Sequence, residues 1–282
     1  MHPTWCMADC RLRNERINPP SPPFAKGGLG GLNKLMSKVR ENLLRVMERI
    51  EKAAQRVGRD PREIKLVAVS KTVETTRIKE AIEAGVSILG ENYMQEAKKK
   101  IEEIGRPACT EPASRSLAEG RRFGGGRPVA WHFIGHLQSN KAKYAVQLFD
   151  MVHSLDSIPL AEELNRRAEQ ADRMIKVLIE INLSGEGTKF GTDEEKILNL
   201  AKRILQLNHL SLEGLMTMPP YFDSPEMSRP YYIKLRELKE RLVREGIPMR
   251  ELSMGMSNDF EIAIEEGATY VRVGTAIFGP RK

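Results

Sequence analysis

Eight short apolar runs punctuate this chain, at 66–70, 88–90, 130–135, 151–155, 175–182, 212–216, 251–254 and 270–273. Each has the length and residue content of a buried strand. Between them, apolar residues recur every three to four positions, the spacing of a helix with one buried face. The same spacing precedes the first run, in Val39, Leu43, Leu44, Val46, Met47 and Ile50. Strands alternating with helices eight times predict a parallel sheet closed into a single (β/α)8 TIM-type barrel with an N-terminal helix. An open doubly wound sheet is the alternative, but no G-x-G-x-x-G follows the first strand to support it.

Two segments break the pattern. Residues 1–35 contain Pro19-Pro20-Ser21-Pro22-Pro23 and Gly27-Gly28-Leu29-Gly30-Gly31, a composition expected of a disordered tail. Met36 stands directly before Ser37 and the first helical pattern, so translation is expected to start functionally there. The second break is flanked by a repeat, Gly105-Arg106-Pro107 and Gly126-Arg127-Pro128. Removing 108–128 leaves a helix-to-strand loop of ordinary length, so this segment reads as an insertion. In a barrel such a loop lies on the N-terminal face, away from the chemistry. The barrel itself is expected to occupy 36–282.

Charge changes the picture little. The 282 residues carry a formal net charge of +7, with 40% hydrophobic and 29% charged residues. Residues 1–35 hold five Lys/Arg against two Asp/Glu, and 108–128 hold four Arg against two Glu, leaving +2 elsewhere. The barrel is therefore not expected to bind nucleic acid. Cys6, Cys10 and Cys109 all lie in the same two segments, which leaves the barrel without a disulfide framework or a thiol nucleophile. No run of eighteen apolar residues or signal-type apolar core occurs, so no membrane contact and a cytoplasmic location are expected.

Candidate chemistry then follows from barrel geometry, which gathers function at the C-terminal ends of the strands. The first strand runs into Ser70-Lys71-Thr72, and Thr72, Glu74, Thr75 and Thr76 offer caps for the next helix. Lys71 either snorkels into water or supplies a partly desolvated amine able to form a Schiff base with a carbonyl cofactor. In the last strand Val271 and Val273 face the helices by alternation, sending Arg272 and Gly274 inward. A buried guanidinium needs acceptors, and an internal salt bridge is the plain reading. The loops after strands seven and eight carry Ser257-Asn258 and Gly274-Thr275, the pair of loops that forms a phosphate site in many barrels. Ser257 or Asn258 can equally begin a helix, with Glu261 completing a capping box from Asn258. His132 and His136 lie four apart on a strand and so more than about 10 Å from each other, too far to share a metal ion.

Six segments in order carry a family resemblance. They are Ala68-Val69-Ser70-Lys71-Thr72, Gly90-Glu91-Asn92, Trp131-His132-Phe133-Ile134-Gly135-His136-Leu137-Gln138-Ser139-Asn140-Lys141, Gly214-Leu215-Met216-Thr217-Met218, Ser253-Met254-Gly255-Met256-Ser257-Asn258-Asp259 and Val271-Arg272-Val273-Gly274-Thr275-Ala276-Ile277-Phe278-Gly279. Together they resemble the pyridoxal phosphate homeostasis protein family, whose barrel is shared with the N-terminal domain of alanine racemase. The resemblance spans 36–280 apart from the insertion. It implies that Lys71 holds pyridoxal 5′-phosphate as an internal aldimine, that Arg272 faces the pyridine nitrogen, and that Ser257, Gly274 and Thr275 hold the phosphate. Asn92 and His136 are implied as neighbouring pocket residues.

A permanent cation beside the pyridine nitrogen disfavours its protonation and weakens the ring as an electron sink. Racemisation would also need a second acid/base, which alanine racemase takes from a further β domain that this chain, ending at Lys282, is expected to lack. The leading expectation is therefore a non-enzymatic, monomeric holder of pyridoxal phosphate that delivers it to apo-enzymes. The alternative is an amino-acid racemase using Lys71 and either His136 or Tyr93. A third reading, a nucleic-acid module working through the basic tail, predicts loss of function on truncating 1–35 and steep salt dependence.

Overall fold

The structure, a computed structural model, describes residues 37–104, 129–184 and 190–280. The expected tail at 1–35 and insertion at 108–128 lie outside the described residues. The first half runs α1 (Lys38–Arg56), β1 (Lys65–Val69), α2 (Thr75–Glu83), β2 (Ile88–Glu91), α3 (Met94–Ile104), β3 (Ala130–Phe133), α4 (Ala142–Leu148) and β4 (Met151–Leu155). It continues with α5 (Ile158–Gln170), β5 (Ile175–Ile181), α6 (Ile197–Leu205), β6 (Leu210–Thr217), α7 (Arg229–Arg244), β7 (Glu251–Met256), α8 (Phe260–Glu265), β8 (Tyr270–Val273) and α9 (Thr275–Phe278). Strands β1 to β8 pair in sequence order and close on themselves, β1 pairing with β8 in parallel register. The expected (β/α)8 barrel is what the chain forms.

Alternation along the strands sorts side chains into two layers. Outward-facing Leu89, Trp131, Phe133, Val177, Ile179, Val271 and Val273 join the helices in one continuous apolar core. Inside the barrel a small apolar cluster of Val67, Met151, Leu178, Met216 and Tyr270 fills the N-terminal half. Above it the interior turns polar. His132, His153, Ser253 and Arg272 are all buried there.

Helix α1 buries Val39, Leu43, Val46, Ile50, Ala53 and Ala54, the face that its sequence period marks out. Ser37 caps it by accepting from Arg40 N–H at 3.4 Å. It lies against α8, α9 and α2, clamped by a bidentate pair from Arg49 to Glu261 at 2.9 and 2.7 Å. That pair corrects one expectation. Glu261 is taken up by Arg49, Asp259 stands at the cap of α8, and Asn258 instead donates to Phe222 O at 3.2 Å, so no Asn258–Glu261 capping box forms. The helix after β1 begins at Thr75, with Glu74 at its cap and no side-chain cap bond.

Candidate functional site

The end of β1 is held by a buried polar knot on the sheet's outward face. Ser70 donates to Glu91 Oε1 at 2.7 Å, and Lys100 of α3 donates to the same oxygen at 2.8 Å and to Glu96 at 2.6 Å. Lys100 also donates to Ser70 O. Burial pushes the Glu91 carboxyl upward, while Lys100 and Ser70 pull it down. The chain then turns sharply. Thr72 sits at φ 61, a region that costs a non-glycine residue about 1–2 kcal/mol. Its N–H donates to Glu96 Oε1 at 2.5 Å, which offsets that cost. With Ser70 tied outward, half-buried Lys71 is left at the mouth of the barrel.

Arg272 lies inside, as alternation requires, and is 3% exposed. The plain reading of an internal salt bridge does not describe its contacts. Its two terminal nitrogens donate to Ser253 Oγ at 2.6 Å and to Thr217 O at 2.9 Å, both neutral acceptors. Burial lowers its pKa, opposed by Tyr232, Glu180 and Asp259; a guanidinium keeps its charge in such a setting.

Beside it the loops after β7 and β8 meet. Ser257 Oγ accepts from Gly274 N–H at 3.2 Å and from Ala276 N–H at 3.3 Å. A methyl group on Gly274 would stand 3.3 Å from Val69 O and 3.4 Å from Val69 Cβ, a tight fit, so this loop runs close against β1. Thr275 is exposed at the same rim. Lys71, Arg272, Ser257, Gly274 and Thr275 thus gather at the C-terminal ends of three neighbouring strands, β7, β8 and β1.

Asn92 and His136 form a flank. They share a cleft of about 340 Å³ with Tyr93, Gln138 and Lys141, a cleft not lined by Lys71, Arg272 or Ser257. A Cβ on Gly135 would fall 2.3 Å from Asn92 O, so the approach of these two loops depends on that glycine. Asn92 Oδ1 is buried without a hydrogen-bond partner among the described residues. His136 turns away, its ring stacked on Phe190 at 3.7 Å and its Nδ1 3.7 Å from Asp156. His132 points inward to His153, so the two imidazoles that lie four apart serve different partners.

Three groups escaped the sequence reading. His153 and Ser253 join His132 and Arg272 in one hydrogen-bonded chain. Glu180 is buried on β5, where burial pushes its carboxyl up to about 7, with Arg272 opposing and Asp156 adding. Strand phase could have found two of them, because His153 and Glu180 share the inward parity of Met151 and Leu178.

Comparison with known proteins agrees with this architecture. The alanine racemase N-terminal domain family matches residues 42–282. The pyridoxal phosphate homeostasis protein of Aquifex aeolicus is 45% identical over 243 residues, 86% of this chain and 98% of the relative. That of Pseudomonas aeruginosa is 39% identical over 87% of this chain and 97% of its own. Among solved structures, PipY of Synechococcus elongatus with PLP bound superposes with a TM-score of 0.70 at 32% identity, over 86% of this chain and all of PipY. Alanine racemase from Clostridium difficile shares the fold at 16% identity, with a TM-score of 0.62 over 87% of this chain and 57% of its own. The chain belongs to the pyridoxal phosphate homeostasis protein family.

Proposed function

We propose that this protein holds pyridoxal 5′-phosphate at the β7–β8–β1 rim and serves in its homeostasis and delivery to apo-enzymes. The observation that carries the reading is the convergence of an amine, a buried cation and a set of anion donors on three adjacent strand ends. These residues suit the cofactor's parts. Bound, it supplies an aldehyde and an electron-withdrawing ring. Lys71 is the amine for covalent attachment. Gly274 and Ala276 N–H, now converging on one hydroxyl oxygen, are donors of the kind that hold a phosphate, with Ser257 and Thr275 hydroxyls beside them. Arg272 faces the ring nitrogen and disfavours a proton there. Asn92 and His136 flank the pocket.

The Arg272 cation at the ring nitrogen favours holding over turnover. A racemase would need a second proton-exchanging group. His136 is engaged by Phe190 and Asp156, and Tyr93 is 59% exposed. Glu180, with its carboxyl pushed up to about 7, is the group the structure adds to those two. Single amino-acid enantiomers incubated with loaded protein in D₂O separate the readings. The holder shows no appreciable Cα exchange; sustained exchange that Glu180→Gln abolishes would establish the enzyme.

The cofactor assignment is tested by loading the chain with pyridoxal phosphate, reducing with borohydride and mapping the peptides. The expected result is a bleached visible band and a reduced adduct on Lys71. An adduct on another lysine, or none, defeats it.

A further inference from the structure

A hydrogen-bonded chain crosses the barrel interior beneath the proposed cofactor site. His132 Nδ1 lies 2.9 Å from His153 Nε2, and His153 Nδ1 lies 2.9 Å from Ser253 Oγ. Ser253 Oγ in turn lies 2.6 Å from Arg272, which also reaches Thr217 O at 2.9 Å. Five strands, β3, β4, β7, β8 and β6, are stitched together by four buried side chains and one carbonyl.

The direction of every proton in this chain follows from its last member. Arginine only donates, so Ser253 Oγ accepts from it and its own proton goes to His153 Nδ1. His153 then carries its proton on Nε2 and donates to His132 Nδ1, leaving the His132 proton on Nε2. Both imidazoles must be neutral for this order to hold. Burial keeps them so. His132 is held down to about 3, with Lys176 and Lys65 adding to the effect, and His153 is lowered by burial, His132 and Arg272. Tyr270 meets both rings edge-on, at 5.6 and 5.5 Å. Around Arg272 the facing charged or titratable groups are Tyr232, Glu180 and Asp259.

An arginine side chain has large rotamer freedom, and two fixed acceptors remove it. We propose that Ser253 and His153 are positioning residues that aim Arg272 at the ring nitrogen of the bound cofactor, with His132 fixing the far end of the chain. The inference rests on the reading that pyridoxal phosphate occupies this site. It assigns work to buried groups that cofactor binding alone leaves without a role.

The test loads wild type, Ser253→Ala, His153→Leu, His153→Gln and Arg272→Leu with pyridoxal phosphate labelled with ¹⁵N in the ring. The pH at which the ring nitrogen takes a proton is followed by ¹⁵N NMR, and the Kd for the cofactor is measured alongside. Ser253→Ala and His153→Leu should raise the protonation midpoint by about one pH unit and weaken Kd about tenfold. Arg272→Leu sets the upper limit. His153→Gln, whose amide accepts and donates at nearly the spacing of the ring nitrogens, should restore wild-type behaviour. If both disruptive variants lower the Tm yet keep the wild-type midpoint and Kd, the chain is structural and the proposal fails. Should His153→Leu not fold, Ser253→Ala, which deletes a single oxygen, decides alone. Failure of wild type to load overturns the site reading as well, whereas loading with unchanged variants overturns only the positioning role.

Discussion

Burial of one carboxyl that the Arg272 charge offsets only in part has a measurable cost. Glu180 is 4% exposed, and its folded pKa of about 7 lies above the usual 4.5. Between those values the native protein retains a proton that the unfolded chain has released. Stability therefore falls as pH rises through this window, and the loss is complete above it. Glu180→Gln keeps the shape and removes the titration. In cofactor-free protein it should stabilise by on the order of 3 kcal/mol at pH 8 and by little at pH 4. Urea unfolding at the two pH values measures this directly. An equal gain at both would mean that packing, rather than the proton, is responsible.

One scale up, the tie between α3 and the end of β1 governs where Lys71 stands. Lys100 occurs in the run Lys98-Lys99-Lys100, which by composition looks solvated. Helical phase says otherwise, since Lys100 shares the buried face of α3 with Ala97 and Ile101. Its ammonium is the cation for Glu91, whose side chain is fully buried. Lys100→Met preserves the packing stem but leaves that carboxylate without its cation, held only by the Ser70 hydroxyl, a change that costs about 3–5 kcal/mol. The expected result is a Tm lowered by several degrees, together with slower borohydride-trappable loading at Lys71 as the Thr72 turn loosens. Unchanged loading kinetics would show that the turn is held without Lys100. Such elements were largely legible in advance. The apolar runs gave the limits of β4 and β8, and strand phase turned Arg272 inward before any partner was known. What they could not give was the partner itself. His153 and Ser253 are 100 residues apart, on strands that are not neighbours in the sheet, and they meet only across the interior of the closed barrel. A period of two gives the face a residue takes and carries no record of what it meets across the barrel. The capping box failed for a related reason, because Glu261 had a long-range competitor in Arg49, 212 residues away.

For the whole molecule, closing eight parallel strands leaves no sheet edge exposed, and stability then depends on what the closed interior holds. Here it holds two neutral histidines and one raised carboxyl, and these oppose each other in their response to acid. Burial holds His132 down to about 3 and lowers His153 as well, so the native state refuses protons that the unfolded chain accepts below about 6.5. Their stabilising contribution is complete above that pH and is lost as pH falls toward the folded values. Glu180 works in the opposite sense between 4.5 and about 7. Between pH 6 and 5 the unfolded chain thus holds nearly two protons on the histidines that the native state lacks, while the native state holds one on Glu180 that the unfolded chain lacks. The net difference of one proton gives a stability loss of about 1.4 kcal/mol per pH unit in that interval. Removing the carboxyl leaves both histidine protons uncompensated, so Glu180→Gln should roughly double the slope while raising stability throughout the interval. Urea titrations of cofactor-free wild type and variant at pH 5, 5.5 and 6 decide the matter. A flat wild-type profile, or a slope that the substitution leaves unchanged, would mean that the histidines are not held neutral by the closed barrel.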